Sequence, residues 1–470
     1  MNFLYLRMSI HSVVDFCQLL QNDWLHVLVC DFLLAIITLI SSYFSTFAEM
    51  KKIPVMQIEV QSTDLQQTSV KLPSSKSISN RVLVINALSG NRGMLPDNVS
   101  DCDDTEVMID WLSKDPEVVD IKAAGTAMRF STALLAVTAG RKVITGSERM
   151  RKRPIAILVD ALRTLGADIE YVGEEGFPPL AITGNPEMKG GELSLPGGVS
   201  SQYISALLMI APVMKEGLVL HLTGDVISRP YINLTLHLMR EFGAEAEWTD
   251  DRTIRVSPVK YVSRKYFVES DWSAASYWYE MVALSNNASV ALPGLFSNSS
   301  QGDSAVARFF SYLGVKTEFL QDDTVRISKS GDKPCLHLEL DLVNQPDLAQ
   351  TLVVTCCMMN VTFRFSGLQS LKIKETDRIS ALIAELRKLG FIITEKDGSV
   401  LQWDGSRVGA DDADPSIDTY DDHRMAMSFA PCAIKLGHIL INNPEVVSKS
   451  YPRFWTDLEN SGFKIVNTRL

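Results

Sequence analysis

The sequence predicts a mixed α/β (α+β) protein assembled from a repeated structural unit. The first observation behind this is a recurring pattern of an amphipathic helix that ends in Gly and runs into a short alternating strand. It occurs as LVDALRTLGADIEYV around Gly166, TLHLMREFGAEAEWT around Gly243, VARFFSYLGVKTEFL around Gly314, ALIAELRKLGFIITE around Gly390 and FWTDLENSGFKIV around Gly462. Gly just past a helix supplies the left-handed backbone that stops it. The second observation is spacing: successive glycines lie 77, 71, 76 and 72 residues apart. That implies a unit of about 70 to 75 residues, long enough for several helices and strands and too long for a solenoid repeat. The third is bulk: 470 residues, 46% of them hydrophobic, suffice for more than one core. Six units would make two pseudo-symmetric halves. A looser first copy is TEVMIDWLSKDPEVVDI, where Pro116 stands in place of the Gly signal.

Charge and cysteine usage exclude several classes. The formal net charge is −11 and no long basic tract is present, which argues against a nucleic-acid partner. A local basic cluster can still hold a small anion, because distant charges are screened beyond about 10 Å. The seven cysteines, Cys17, Cys30, Cys102, Cys335, Cys356, Cys357 and Cys432, are scattered without a CxxC. This fits a reducing compartment rather than a disulfide framework. The adjacent pair in TLVVTCCMMNV reads as packing. No zinc-ligand spacing and no phosphate-loop motif is visible, so no metal and no cofactor is expected.

Residues 1–49 differ from the rest, with Arg7 as their sole basic residue and an uncharged stretch from Phe32 to Ala48. That stretch is at the short limit for a membrane span of about 20 residues. The expectation is an extension that is disordered or not native, with a membrane anchor as the alternative. Met50-Lys51-Lys52 reads like a fresh start.

The chemistry-bearing segments share one grammar: hydroxyls or cations just ahead of an apolar helix. LPSSKSISNR places Lys76, Ser77 and Arg81 before VLVINAL, with Ser75 or Ser77 as the N-cap. Unpaired N–H groups and partial positive charge at a helix start make an anion site, which a lysine strengthens. AAGTAMRFSTALLAVTAG opens with small residues; Gly125 permits close approach of a ligand, and Arg129 follows one turn in. RMRKRP, a basic cluster, contains Arg153. VSSQYISALLMIAP starts with Ser200, Ser201 and Gln202, and SRPYI supplies Ser228 and Tyr231. In the second half, NQPDLAQTL presents Asp347, and KETDR sets Lys374, Glu375, Asp377 and Arg378 ahead of a helix. Lys374 and Arg378, four apart, are expected to share a helical face. TYDDHRMAM places His423 and Arg424 inside a helix capped by Asp421 or Asp422, and SKSYP offers Lys449. Each segment alone is equally well a capped, solvated helix. Together, if the starts converge, they would hold several phosphate and carboxylate groups, each charge-assisted bond contributing roughly 1.5 to 3 kcal/mol.

In order along the chain, SSKSISNR, AAGTAMRF, RKRPI, VSSQYISALLMIAP, SRPYI, KETDR, DDHRMAM and SKSYP resemble the signature set of the 5-enolpyruvylshikimate-3-phosphate synthases, from about Met56 to Trp455. The resemblance implies the two-domain enolpyruvyl-transferase fold, an inside-out α/β barrel of six βαβαββ-type units. It implies a domain from residues 75–269 and a discontinuous one from 50–74 plus 270–470. It implies transfer of the enolpyruvyl group of phosphoenolpyruvate to the 5-hydroxyl of shikimate 3-phosphate by addition and elimination, in a cytoplasmic monomer whose partners are these two small molecules. By the family pattern Lys76, Ser77, Arg81, Ser200, Ser201, Gln202, Ser228, Tyr231, Asp347 and Lys374 would hold shikimate 3-phosphate. Lys76, Gly125, Arg153, Gln202, Arg378, Arg424 and Lys449 would meet phosphoenolpyruvate, with Arg129 a lesser candidate. Asp347 would accept the proton of the attacking hydroxyl, Glu375 would serve the methylene carbon, Lys76 the departing phosphate, and His423 would support these steps. Ser74, Ala123 and Ser370 stand where the family usually has Gly, Asn and Asn, which bears on affinity rather than reaction class. The rivals are an enolpyruvyl transferase acting on a UDP-sugar, whose branch usually places a cysteine near the RKRP region, and an inactive ligand-binding homologue.

Overall fold

The computed structural model describes residues 56–469 apart from 63, 64, 66 and 410–415. The expectations for residues 1–49 lie outside the described residues. Among the described residues, five four-stranded sheets repeat one strand order. In one of them Gly191–Pro196 runs parallel to Leu218–Thr223, which pairs antiparallel with Thr253–Val256, and Ala246–Trp248 closes the edge antiparallel. The sheet from Val118–Asp120 to Asp168–Tyr171 has the same order, as does the one from His337–Asp341 to Thr394–Lys396. In the remaining two, the chain's first strands are borrowed. Gln57–Gln61 fills the third position beside His438–Asn442, and Gln67–Ser69 fills the first beside Ser289–Pro293. The sixth unit keeps helices Lys76–Leu88 and Asp103–Lys114, while its strand pairing is reduced, among the described residues, to the bridge Asp97 to Phe267.

All five glycines that punctuate the repeat adopt positive φ, between 79° and 104°. The looser copy ends its helix on Asp115, also left-handed at φ 49°, a conformation that Asp tolerates better than most residues.

The sheets lie outside and the helices inside. Six inner helices are buried on nearly every face: α1 Lys76–Leu88, α2 Gly125–Ala136, α3 Ser201–Ile210, α4 Trp272–Leu284, α5 Ala349–Met359 and α6 His423–Phe429. Their apolar all-round composition explains this, since an apolar helix needs neighbours on all sides. The Cys356-Cys357 pair sits inside α5 with no exposure, as packing. Helices α1, α2 and α3 pack together, and so do α4, α5 and α6. The buried apolar side chains accordingly form two cores, one from Ile78 to Val268 and one from Ile58–Leu72 with Trp272–Phe463. The chain passes between these lobes twice, at adjacent points: Ser75 N donates to Glu269 O at 2.9 Å and Asp271 N to Pro73 O at 2.9 Å. Among the described residues no helix is long and apolar enough to cross a membrane.

Candidate active site

All six inner helices begin at one cavity of about 100 Å³. Lys76 and Ser77 come from α1, Gly125 and Thr126 from α2, and Ser200, Ser201 and Gln202 from α3. The other lobe contributes Asp271 and Ser273 at α4, Asp347 in the 3-10 turn that feeds α5, and His423 and Arg424 at α6. The segments Ser228–Tyr231 and Lys374–Arg378 complete the wall with Arg81 and Arg153. Sequence reading thus finds residues far apart in the chain that share one wall. Lys449 lies just beyond it, in an adjoining cavity of about 510 Å³ that also touches Arg153 and Glu375. Arg129 lies behind the wall, donating to Gly125 O at 3.0 Å and Pro154 O at 3.3 Å. Burial lowers its pKa to about 10, with Arg153 adding to the effect, so it stays charged at neutral pH.

In the first lobe the cations have few carboxylate partners. Lys76 Nζ lies 3.2 Å from Asp104 Oδ2. Burial opposes its charge, but Asp104, with Cys102 and Glu375, raises its pKa above the usual lysine value. Arg81 is held by neutral groups: Thr235 Oγ1 at 2.7 Å, Ser77 O at 2.8 Å and Ser205 Oγ at 3.2 Å, with Phe130 stacked on its guanidinium. Ser200 caps α3 by accepting from Gln202 N at 3.3 Å, and Gln202 Nε2 donates to Thr126 Oγ1 at 3.2 Å. Ser75 occupies the N-cap of α1, but its side chain does not cap; Ser75 Oγ is buried without a hydrogen-bond partner among the described residues.

The second lobe is a dense ion network. Arg378 donates through Nε to Asp422 Oδ2 at 2.7 Å, through Nη1 to Asp347 Oδ1 at 3.0 Å and through Nη2 to Glu375 Oε2 at 2.8 Å. Arg424 Nη2 donates to Asp347 Oδ2 at 3.0 Å. Lys374 Nζ reaches Asp347 Oδ1 at 3.4 Å, and Lys449 Nζ reaches Glu375 Oε1 at 3.0 Å. Burial alone would raise Asp347, but Arg424, Lys374 and Arg378 hold it well below the carboxylate range. Glu375 is likewise held low by Lys449, Arg378 and Arg153 against its burial. Burial, with Lys76 and Arg424 nearby, holds His423 neutral, and both ring nitrogens lack a hydrogen-bond partner among the described residues.

One expectation is corrected. Lys374 and Arg378 do not share a helical face: the helix Arg378–Lys388 starts after Lys374, with Asp377 as its cap accepting from Ser380 N at 3.2 Å. The two cations meet through Asp347 instead. Of the two cap candidates for α6, Asp422 takes the position, accepting from Arg424 N at 2.9 Å. Sequence reasoning missed Asp104 as the partner of Lys76, and did not foresee that Asp422 also grips Arg378. The signal available was the acidic run DCDD ahead of Thr105, which looks the same as an ordinary helix start.

Comparisons with known proteins give the family. Residues 111–458 match the family model for EPSP synthase (3-phosphoshikimate 1-carboxyvinyltransferase). The chain belongs to the EPSP synthase family. The 3-phosphoshikimate 1-carboxyvinyltransferase of Bacteroides fragilis is 58% identical over 400 residues, covering 85% of this chain and 96% of its own. That of Sulfurovum sp. is 35% identical, covering 83% and 96%. Among solved structures, EPSP synthase from Acinetobacter baumannii shares the fold, with TM-score 0.69 over 87% of this chain and all of its own, at 21% identity.

Proposed function

We propose that this protein transfers the enolpyruvyl group of phosphoenolpyruvate to the 5-hydroxyl of shikimate 3-phosphate, releasing phosphate. The observation that carries the reading is the shared cavity wall: hydroxyls, open helix N-termini and Arg81 on one side, guanidinium forks and two ionised carboxylates on the other. The first side suits a phosphorylated ring carrying hydroxyl groups. The second suits a small diacid, because guanidinium forks bind carboxylate and phosphate with fixed orientation.

Asp347 is the proposed base for the attacking hydroxyl, and Glu375 serves the methylene carbon. A carboxylate bound by three cations is a weak base. Phosphoenolpyruvate would supply its own carboxylate to Arg378 and Arg424, drawing them from Asp347 and raising its basicity where the proton must be accepted. The cavity of about 100 Å³ is smaller than the roughly 300 Å³ of a small-ligand site. Substrate entry therefore requires the lobes to part, and closure then excludes water. We read the lobes as two domains divided near residues 75 and 269, and the enzyme as a cytoplasmic monomer.

Phosphate release measured with both substrates tests the reaction. Activity with shikimate 3-phosphate, its loss in Lys76→Met and Asp347→Asn, and competition by phosphonate analogues of phosphoenolpyruvate are expected. Turnover with a UDP-sugar acceptor instead, or with neither acceptor, would overturn the reading.

A further inference from the structure

A buried carboxylate outside the recognised motifs faces the same phenol as Asp347. The short turn Gly302–Ala305 carries Asp303, which is 3% exposed. Its Oδ1 accepts from the Tyr231 hydroxyl at 3.2 Å, and its Oδ2 accepts from the Ser273 hydroxyl. The Tyr231 hydroxyl also lies 3.4 Å from Asp347 Oδ2. A phenol has one proton, so it donates to one carboxylate at a time. Tyr231 belongs to the first lobe and both carboxylates to the second. The lobes meet closely here: a Cβ on Gly302 would lie 2.5 Å from the Pro230 side chain, and Ser228 N donates to Val343 O at 3.0 Å.

We propose that Asp303 is a positioning residue for the transfer, accepting the Tyr231 hydroxyl and so leaving the second lone pair of Asp347 Oδ2, beside the one that accepts from Arg424 Nη2, to the proton of the attacking substrate hydroxyl. This rests on the reading of Asp347 as the base. The groups facing Asp303 are Tyr231 across the lobe junction, Asp347 from its own lobe, Ser273 and Asp271 at the start of α4, and Arg424 from α6. Burial and then Asp347 raise the Asp303 carboxyl above the usual range, with Arg424 and Ser273 opposing. Asp347 is held low, so Asp303 takes up a proton first as pH falls. A protonated Asp303 is a poorer acceptor than an ionised Asp347. The phenol then turns to Asp347 and occupies the lone pair that the substrate needs.

The test is kcat for phosphate release in the full-length protein as a function of pH, for Asp303→Asn, Tyr231→Phe and the double variant. Asp303→Asn should lower kcat by about tenfold, the equivalent of one charge-assisted hydrogen bond, with a smaller change in KM for phosphoenolpyruvate. In the Tyr231→Phe background the same substitution should cost less than about twofold, because no phenol remains to redirect. Additive effects, or an unchanged kcat, would overturn the inference. Ser273→Ala keeps the carboxylate and so serves even if the Asn variant folds poorly. Losing that donor raises Asp303 further, and the acid limb of kcat should move to higher pH; an unmoved limb overturns the inference. The underlying reading fails separately, if Asp347→Asn retains wild-type kcat.

Discussion

Gly125→Ala separates function from stability at a single methyl group. Gly125 opens α2 and carries no positive φ, so alanine suits its backbone. An alanine Cβ there would lie 2.5 Å from Arg153 Nη1 and 3.2 Å from Arg129 Nη1. An ordinary contact is about 3.5 Å, so the Arg153 guanidinium must retreat by about 1 Å. Arg153 is the tip of a flexible side chain, so the fold absorbs this, and the melting temperature should move by no more than about 2 °C. A substrate anion is less forgiving. Losing one charge-assisted hydrogen bond of roughly 1.5 to 3 kcal/mol raises KM about 10- to 150-fold, and a 1 Å misplacement costs up to about a hundredfold in rate. Steady-state kinetics with each substrate varied in turn should show KM for phosphoenolpyruvate rising by at least tenfold and KM for shikimate 3-phosphate changing by less than about threefold. An unchanged KM for phosphoenolpyruvate, or an equal rise for both substrates, would refute the assignment of Arg153 to that substrate.

Three further predictions follow from the ion network and its rim. Arg378→Lys replaces a buried fork that serves Asp422, Asp347 and Glu375 with one ammonium that cannot reach all three. Breaking buried pairs of this kind costs about 3 kcal/mol, which lowers the melting temperature by roughly 6 to 12 °C, readable by calorimetry. Asp347 is depressed below 3.8 and Glu375 below 4.5, so the stability they contribute is present above those values and lost as pH falls through their folded pKa. Urea unfolding should therefore show Asp347→Asn less stable than wild type at pH 7, with the gap closing below about pH 3.8. At the cleft rim Arg149 Nη1 lies 3.0 Å from Asp421 Oδ2, joining the lobes beside two consecutive left-handed residues, Tyr420 and Asp421. Both partners are exposed, so Arg149→Gln should raise KM only about twofold, less at high salt, and the swap Arg149→Asp with Asp421→Arg should restore it.

The parts of this molecule that depend on local backbone chemistry were legible in its sequence, and the parts that depend on packing were not. Gly166, Gly243, Gly314, Gly390 and Gly462 could be read because a left-handed helix stop demands glycine-like freedom, and each adopts it. The inner helices could be read because apolar side chains on all faces leave no solvent side. Ser75 misled in a small way: it sits at the cap position, yet its hydroxyl turns into the interior. Lys374 misled for a similar reason, since a 3-10 turn at Gln369–Ile373 delays the helix until Arg378. Asp104 and Asp303 were missed, and Asp422 was read only as a cap, because an acidic residue near a helix start reads as one. Whether it is a cap or a buried counter-ion is decided by which cation folds over it, and Arg378 is 44 residues from Asp422.

The two lobes repeat the same helices but furnish their N-termini differently, and on the proposed reading this asymmetry accounts for how one fold would hold anions and also move protons. In the first lobe the residues before α1, α2 and α3 are Ser75, Ala124 and Ser200, and none of these helices has an acid in its first turn. Apart from Gln202 N, which Ser200 caps, their N–H groups and positive dipole ends remain available to an incoming phosphate. In the second lobe Asp271 caps α4, Asp422 caps α6 and Asp347 precedes α5. There the dipole is already answered by a protein carboxylate, and two of these, Asp347 and Asp422, in turn fix arginines. Recognition by fixed N–H groups needs no proton exchange, whereas a carboxylate held between arginines changes basicity whenever a substrate competes for them. On the proposed reading, placing the first arrangement opposite the second would let one substrate be held firmly while the other adjusts the carboxylate that accepts its proton.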